Sequence, residues 1–116
     1  MKKIVVGILM VLSVLVIGCS SNNQTGDNDA LAKCLTEKGA VMYGTEWCSH
    51  CKTQKEYFGS SFKYVDYVDC DRNRDRCTAA DVKGYPTWQI NGNNYPGAQP
   101  LERLASLAGC QGNLTG

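Results

Sequence analysis

Two cysteines stand two residues apart in the stretch Glu46-Trp47-Cys48-Ser49-His50-Cys51-Lys52, with the chain's one histidine set against the second. Three kinds of chemistry use such a pair. It can supply half of a zinc site, close into a short structural bridge, or cycle between dithiol and disulfide by exchange with another protein's thiols. Zinc needs further ligands, normally a second C-x-x-C or an H-x-x-x-H. No second histidine exists, and Cys70 and Cys77 have six residues between them, an unusual ligand spacing. A purely structural bridge is weak as well, because so short a loop removes little entropy from the unfolded chain. Thiol–disulfide exchange is the strongest reading, and no metal is expected.

The remaining cysteines are Cys19, Cys34, Cys70, Cys77 and Cys110. If Cys19 has a separate task, six are left, an even number that in a small exported domain suggests disulfides. Six cysteines allow fifteen pairings; with Cys48 and Cys51 paired to each other, the other four allow three.

The elements that must hold these residues follow from local pattern. Asp29 to Gly39 reads as a helix that Asp29 can cap, with Leu31, Cys34 and Leu35 at helical spacing and Gly39 as the stop. Ala40 to Tyr43 is a short apolar run that suits a buried strand. Gly44 to Trp47 is a turn, and a second helix runs from Cys48 to Phe58. Phe62 to Val68 is aromatic and β-branched, hence a strand. The polar stretch from Asp69 to Val82 holds a short helix from about Arg74 to Asp81. Pro86 to Ile90 is another strand, Asn91-Gly92 a hairpin turn, and Tyr95 the start of a short return strand. Pro100 to Ala108 is an amphipathic helix stopped by Gly109, with Leu101, Leu104 and Leu107 on one face. The order α-β-α-β-α-β-β-α predicts an α/β fold, a small mixed sheet of about four strands with helices on both faces.

The chain has 116 residues, enough for one domain. Its start does not read as domain. Lys2 and Lys3 precede an uncharged apolar stretch of 15 residues, Ile4 to Gly18, the pattern of a secretory signal peptide. A membrane-spanning helix needs about 20 residues. The stretch ends Val16-Ile17-Gly18-Cys19, which resembles the bacterial lipobox, a resemblance that implies cleavage before Cys19 and a diacylglycerol on its sulfur. Several acyl chains on one residue anchor firmly, at about 0.8 kcal/mol for each buried methylene. The expected organisation is a signal peptide over 1–18, lipidated Cys19 and a polar tether over 19–29, and a domain over 30–116. Without Lys2 and Lys3, ten basic residues face eleven acidic ones. That balance argues against nucleic acid or an anionic lipid surface as partner.

The element order together with Trp47-Cys-Ser-His-Cys51-Lys52, Val82-Lys-Gly-Tyr-Pro86-Thr87, Asn91-Gly92 and Pro96-Gly97-Ala98 resembles the thioredoxin superfamily over about residues 30 to 109. Within it, the W-C-x-H-C motif, the extra cysteines and Gly84-Tyr-Pro-Thr-Trp88 are most similar to the thioredoxin-like domain fused to bacterial and plant homologues of vitamin K epoxide reductase. The resemblance implies a thioredoxin-like fold, a cis bond before Pro86, and disulfides Cys34–Cys110 and Cys70–Cys77. It also implies a substrate groove at Pro86, to which Trp47, Tyr85 and Trp88 are candidate contributors, with the core as the equal alternative for Trp88. One position departs from the family. Thioredoxin carries a buried aspartate six residues before its first active cysteine, and here that position is Met42. Glu46 stands nearer in sequence, where it reads as exposed.

For the exchange itself, Cys48 at a helix N-terminus is the expected nucleophile and Cys51, one turn in and more buried, the resolving thiol. His50 occupies the place of histidine in strongly oxidising C-P-H-C proteins and is the candidate for tuning the Cys48 thiolate. Stabilising the reduced form makes the disulfide a better oxidant. The expected function is therefore an extracytoplasmic, lipid-anchored thiol–disulfide oxidoreductase that promotes disulfide formation. It would need no cofactor beyond the Cys48/Cys51 pair, act as a monomer on thiols and disulfides of exported proteins, and be reoxidised by a membrane quinone-linked protein. The same site could instead reduce or isomerise. Two other classes stay open: a disulfide-stapled binding lipoprotein with an inert C-x-x-C, and a metal-delivery lipoprotein.

Overall fold

A computed structural model describes residues 28–110. The signal-like segment 1–18, Cys19, the tether up to residue 27 and the tail from residue 111 lie outside the described residues. The elements in chain order are α1 (Asp29–Glu37), β1 (Val41–Gly44), α2 (Ser49–Phe58), a 3-10 helix (Gly59–Tyr64), β2 (Tyr67–Asp69), α3 (Arg74–Ala79), β3 (Thr87–Ile90), β4 (Asn93–Pro96) and α4 (Leu101–Ala108). The four strands form one mixed sheet in the order β2-β1-β3-β4. β1 pairs with β2 in parallel and with β3 antiparallel, and β3 pairs antiparallel with β4. This is a thioredoxin fold.

Strand alternation divides the side chains between two faces. Met42, Trp88 and Ile90 join Leu31, Leu35, Phe58 and Leu104 in one core, so α1, α2 and α4 cover that face. Tyr43 and Val68 form a smaller cluster with Cys70 and Cys77, capped by α3. The helices pack because their apolar faces match these surfaces. In α4, for instance, Leu104, Ala105 and Ala108 are buried while Leu101 and Leu107 lie at the margin. Cys34 is bonded to Cys110, which fastens α1 to the residue just past α4, and Cys70 is bonded to Cys77 across the start of α3.

Three expectations need correction. The run from Phe62 to Val68 is a strand only from Tyr67 onward; its first part belongs to the 3-10 helix. Aromatic and β-branched composition suggested a strand, but tertiary packing wins. Phe62 meets Phe58 and Tyr67 edge-on, with ring centroids 5.9 and 5.6 Å apart, and the Ser61 hydroxyl donates to Asp29 Oδ1 at 2.6 Å. That same bond takes Asp29 out of the capping role: Asn28 occupies the N-cap, and Asp29 begins the helix proper. The return strand is also longer than expected, pairing Asn93 to Pro96 against β3 around Asn91-Gly92, whose φ angles of 53° and 80° turn the chain tightly.

Candidate active site

β1 delivers the chain to the site at Gly44, and the residue type there is dictated by space. A Cβ at Gly44 would stand 2.7 Å from Cys51 Sγ and 3.4 Å from Tyr67 Cε1. Only glycine lets the strand end lie so close to the second sulfur. After the turn, Cys48 serves as the N-cap of α2 in extended conformation (φ −78°, ψ 124°), and its Sγ accepts the Cys51 N–H at 3.2 Å. A sulfur thus fills the place usually taken by a serine or aspartate oxygen. The first turn of α2 contains no acidic residue, so the amide groups at its N-terminus favour negative charge on that sulfur.

Both cysteines are free thiols, and both are buried: Cys48 is 8% exposed and Cys51 fully covered. Cys51 is the more deeply placed of the two, as its position one turn into the helix predicts. The loop before β3 covers Cys48, and the Cys48 thiol donates to the Tyr85 carbonyl at 3.6 Å. The peptide bond that follows, Tyr85–Pro86, is cis, and Pro86 is buried beneath the site.

Cys51 sits in a different electrostatic setting. Burial, and next its hydrogen bond with Cys48, push its thiol up to about 12, against the opposing pull of the Thr45 N–H and the Lys55 charge. Lys55, one turn further along α2, donates to Glu46 Oε2 at 3.1 Å, and the Tyr67 hydroxyl donates to the same oxygen at 2.9 Å. These two bonds, Lys55 first, hold the Glu46 carboxyl below its ordinary value. Burial, and then the bond to Glu46, raise the Tyr67 phenol above its own.

The remaining predicted residues fall into two groups. Trp47 and Tyr85 frame the approach to Cys48. Trp47 is 66% exposed, packs edge-on against Tyr85 with centroids 6.0 Å apart, and donates its indole N–H to Asp71 Oδ2 at 2.8 Å. His50 is on the exposed side of the first turn, with no hydrogen bond to Cys48 among the described residues. Trp88 is not in the groove. It is fully buried, lies opposite Met42 in the sheet, and donates its indole N–H to Gln54 Oε1 at 2.8 Å. Like Met42 across the sheet, it points into the main core.

Sequence reasoning missed several contributors. Gln54 is fully buried yet satisfied: its Oε1 also accepts the Gln99 N–H at 2.6 Å, and its Nε2 donates to the Gln99 carbonyl at 2.9 Å. It fixes α2 against the lead-in to α4. Glu46, Lys55 and Tyr67 were missed as a cluster, although the i,i+4 spacing of Cys51 and Lys55 was a readable signal. Asp71 and a cavity of about 200 Å³ between the Cys70–Cys77 loop and Tyr85 also had no local signature. Among the described residues, no group of three or more His, Cys, Asp and Glu side chains converges as metal ligands.

The chain is similar to several known proteins. The family model described as thioredoxin matches residues 23–108. The chain is 42% identical over 89 residues to thiol-disulfide oxidoreductase LTO1 of Arabidopsis thaliana, covering 69% of this chain and 24% of that protein. It is 32% identical over 80 residues to protein disulfide-isomerase 1 of Dictyostelium discoideum, covering 55% of this chain and 22% of that protein. The chain therefore spans about a quarter of the length of these curated relatives. Among solved structures it is similar to the thioredoxin of Fasciola hepatica, at 20% identity and a TM-score of 0.44, over 66% of this chain and 88% of that one.

Proposed function

This chain belongs to the thioredoxin family, and from that premise we propose that it is an extracytoplasmic thiol–disulfide oxidoreductase promoting disulfide formation in exported proteins. The observation that carries the reading is the pair of free cysteines at the N-terminus of α2, with Cys48 Sγ against the Tyr85 carbonyl. A relative named a thiol-disulfide oxidoreductase supports it. In this reading Cys48 attacks or is attacked, and Cys51 resolves the mixed disulfide. Trp47 and Tyr85 form the contact surface for the partner chain, with Pro86 buried beneath it. His50 adds positive charge near the α2 N-terminus when protonated, favouring the reduced thiolate and hence the oxidising direction.

Location and partners rest on the sequence. The lysine-led apolar segment and Cys19 support a lipid anchor on the outer side of a bacterial membrane. The likeness to domains fused to vitamin K epoxide reductase homologues supports a quinone-linked membrane protein of that kind as the reoxidant. A reductase or isomerase role on the same cysteines is the second reading, favoured by the relative named a protein disulfide-isomerase.

The deciding measurement is the Cys48/Cys51 redox potential in glutathione buffers. The oxidant reading expects a value well above the roughly −270 mV of thioredoxin, toward the roughly −120 mV of the strongest oxidants. A value at or below thioredoxin's reverses the direction of electron flow.

A further inference from the structure

Cys51 is fully buried, yet in disulfide exchange it must carry negative charge, either as it attacks or as it leaves. The family's buried aspartate is absent: the position is Met42, itself fully buried in the core. β1 therefore brings no ionisable side chain to Cys51. The charge that faces it comes from its own helix. Lys55 lies four residues on, along the same side of α2. Its ammonium is held in place, 3.1 Å from Glu46 Oε2 and 4.3 Å from the centroid of the Tyr67 ring, with Phe62 beyond at 5.6 Å. Tyr67 in turn lies beside Cys51 across Gly44, and its hydroxyl is fixed by the same Glu46 oxygen. The Lys55 side chain is only 25% exposed. This cation is anchored rather than freely solvated.

We propose that Lys55 is a positioning residue for the resolving step, its anchored ammonium stabilising the Cys51 thiolate in place of the carboxylate that Met42 lacks. The inference rests on the exchange reading above but not on its direction. When Cys51 resolves, its S–H bond breaks and the proton passes to water. The thiolate attacks Cys48 Sγ, the Cys48–Cys51 bond forms, and the bond from Cys48 to the partner breaks. The electron pair leaves on the partner's sulfur, so the partner is reduced and the pair oxidised. In reverse, a partner thiolate attacks Cys48 and Cys51 departs as thiolate, facing the same ammonium. The groups around Cys51 are the Cys48 thiol at the cap, the Thr45 N–H from the turn, Tyr67 from β2 and Lys55 from α2, with Glu46 behind the last two. Lys55 is the cation among them.

The test follows release of an aryl thiol from a Cys48 mixed disulfide by stopped flow, using the full chain across a range of pH. Lys55→Met keeps an unbranched stem against Tyr67 and Phe62 without the charge; Lys55→Arg keeps the charge. The Met variant is expected to show a profile displaced upward by on the order of one pH unit. Its release at neutral pH falls about three- to fourfold rather than tenfold, because a more basic thiolate is also a better nucleophile. The Arg variant follows the native profile. A Met variant on the native profile overturns the inference, as does one slowed equally at every pH, the mark of a packing defect alone. An Arg variant that tracks Met overturns it too. Native protein that releases no thiol at any pH overturns the exchange reading and this inference together, an outcome distinct from the other three.

Discussion

Cys48 and Cys51 share a helical turn and a hydrogen bond, but they face two unlike halves of the site. The Cys48 half is a contact surface. Its sulfur meets a backbone carbonyl, and around it stand the exposed rings of Trp47 and Tyr85, with Asp71 steadying the indole. The Cys51 half is a closed pocket, walled by Gly44 and Tyr67 and bordered by the Lys55–Glu46 pair. The two disulfides lie behind different halves. Cys70–Cys77 closes the loop that carries Asp71, while Cys34–Cys110 closes the helical layer on which α2 rests. The division follows from helix geometry: the cap position looks outward to the next loop, and the residue three places on looks back toward the strand that led in. One sulfur is thereby suited to meeting another chain, the other to being held in reserve.

The most direct way to break this comparison is to remove each sulfur in turn. Cys48→Ser is expected to lower the rate of attack on a peptide disulfide by roughly a thousandfold or more, since no other described free thiol reaches the surface. Cys51→Ser is expected to leave the first attack intact and accumulate the mixed disulfide, visible as an added mass on the protein. If Cys51→Ser fails to trap an adduct while Cys48→Ser does, the two halves have been assigned the wrong way round. Next in size is Gly44→Ala, which presses on one half alone. The added methyl meets Cys51 Sγ at 2.7 Å, and overpacking of this kind costs about 1–3 kcal/mol. Urea unfolding of the reduced protein should show that loss, while alkylation of Cys48 in the folded state proceeds near the native rate. Full stability in the alanine variant would mean that the pocket around Cys51 is looser than its contacts imply.

How much of this was legible in the sequence depends on the range of the interaction concerned. Glycines and Asn91-Gly92 punctuate the chain, and the apolar spacing of α1 and α4 is local, so the order of elements could be read directly. Phe62 and Tyr64 misled because their aromatic character suits a strand, while Phe62 packs between Phe58 and Tyr67 and Tyr64 meets Lys33 of α1, distant in sequence. The Tyr64 carbonyl, for example, accepts the Thr36 hydroxyl at 2.7 Å. The cysteine pair and Pro86 stood out as residue types at a spacing, which is how a site built at a strand–helix junction declares itself. Trp88 was open between groove and core, because one aromatic residue type suits both; its place opposite Met42 in the sheet puts the ring in the core. The Glu46–Lys55–Tyr67 cluster draws on a turn, a helix and a strand. What brings them together is the parallel register of Gly44 with Asp69, and no local pattern encodes that register.

That cluster offers the smallest and most selective way to sharpen the comparison. Glu46 holds its carboxyl below the usual value through Lys55 first and Tyr67 second. A carboxyl whose folded value is depressed contributes stability above its unfolded value and loses it as pH falls through the folded one. The contribution should therefore be complete above about pH 4.5 and fade in more acid solution. Because the Glu46 side chain is 64% exposed, solvent screening limits it to about half a kcal/mol. Glu46→Gln should accordingly be less stable than the native chain by that amount near neutral pH, and the gap should close as pH is lowered below 4.5, as read from urea midpoints at a series of pH values. Alkylation of Cys48 should not respond, because Glu46 lies across the first turn, on the side of Cys51. A gap that widens in acid would reverse the sign of the Glu46 effect. An equal change at Cys48 would show that the two halves are electrostatically one, and the distinction between a contact sulfur and a reserved one would then rest on burial alone.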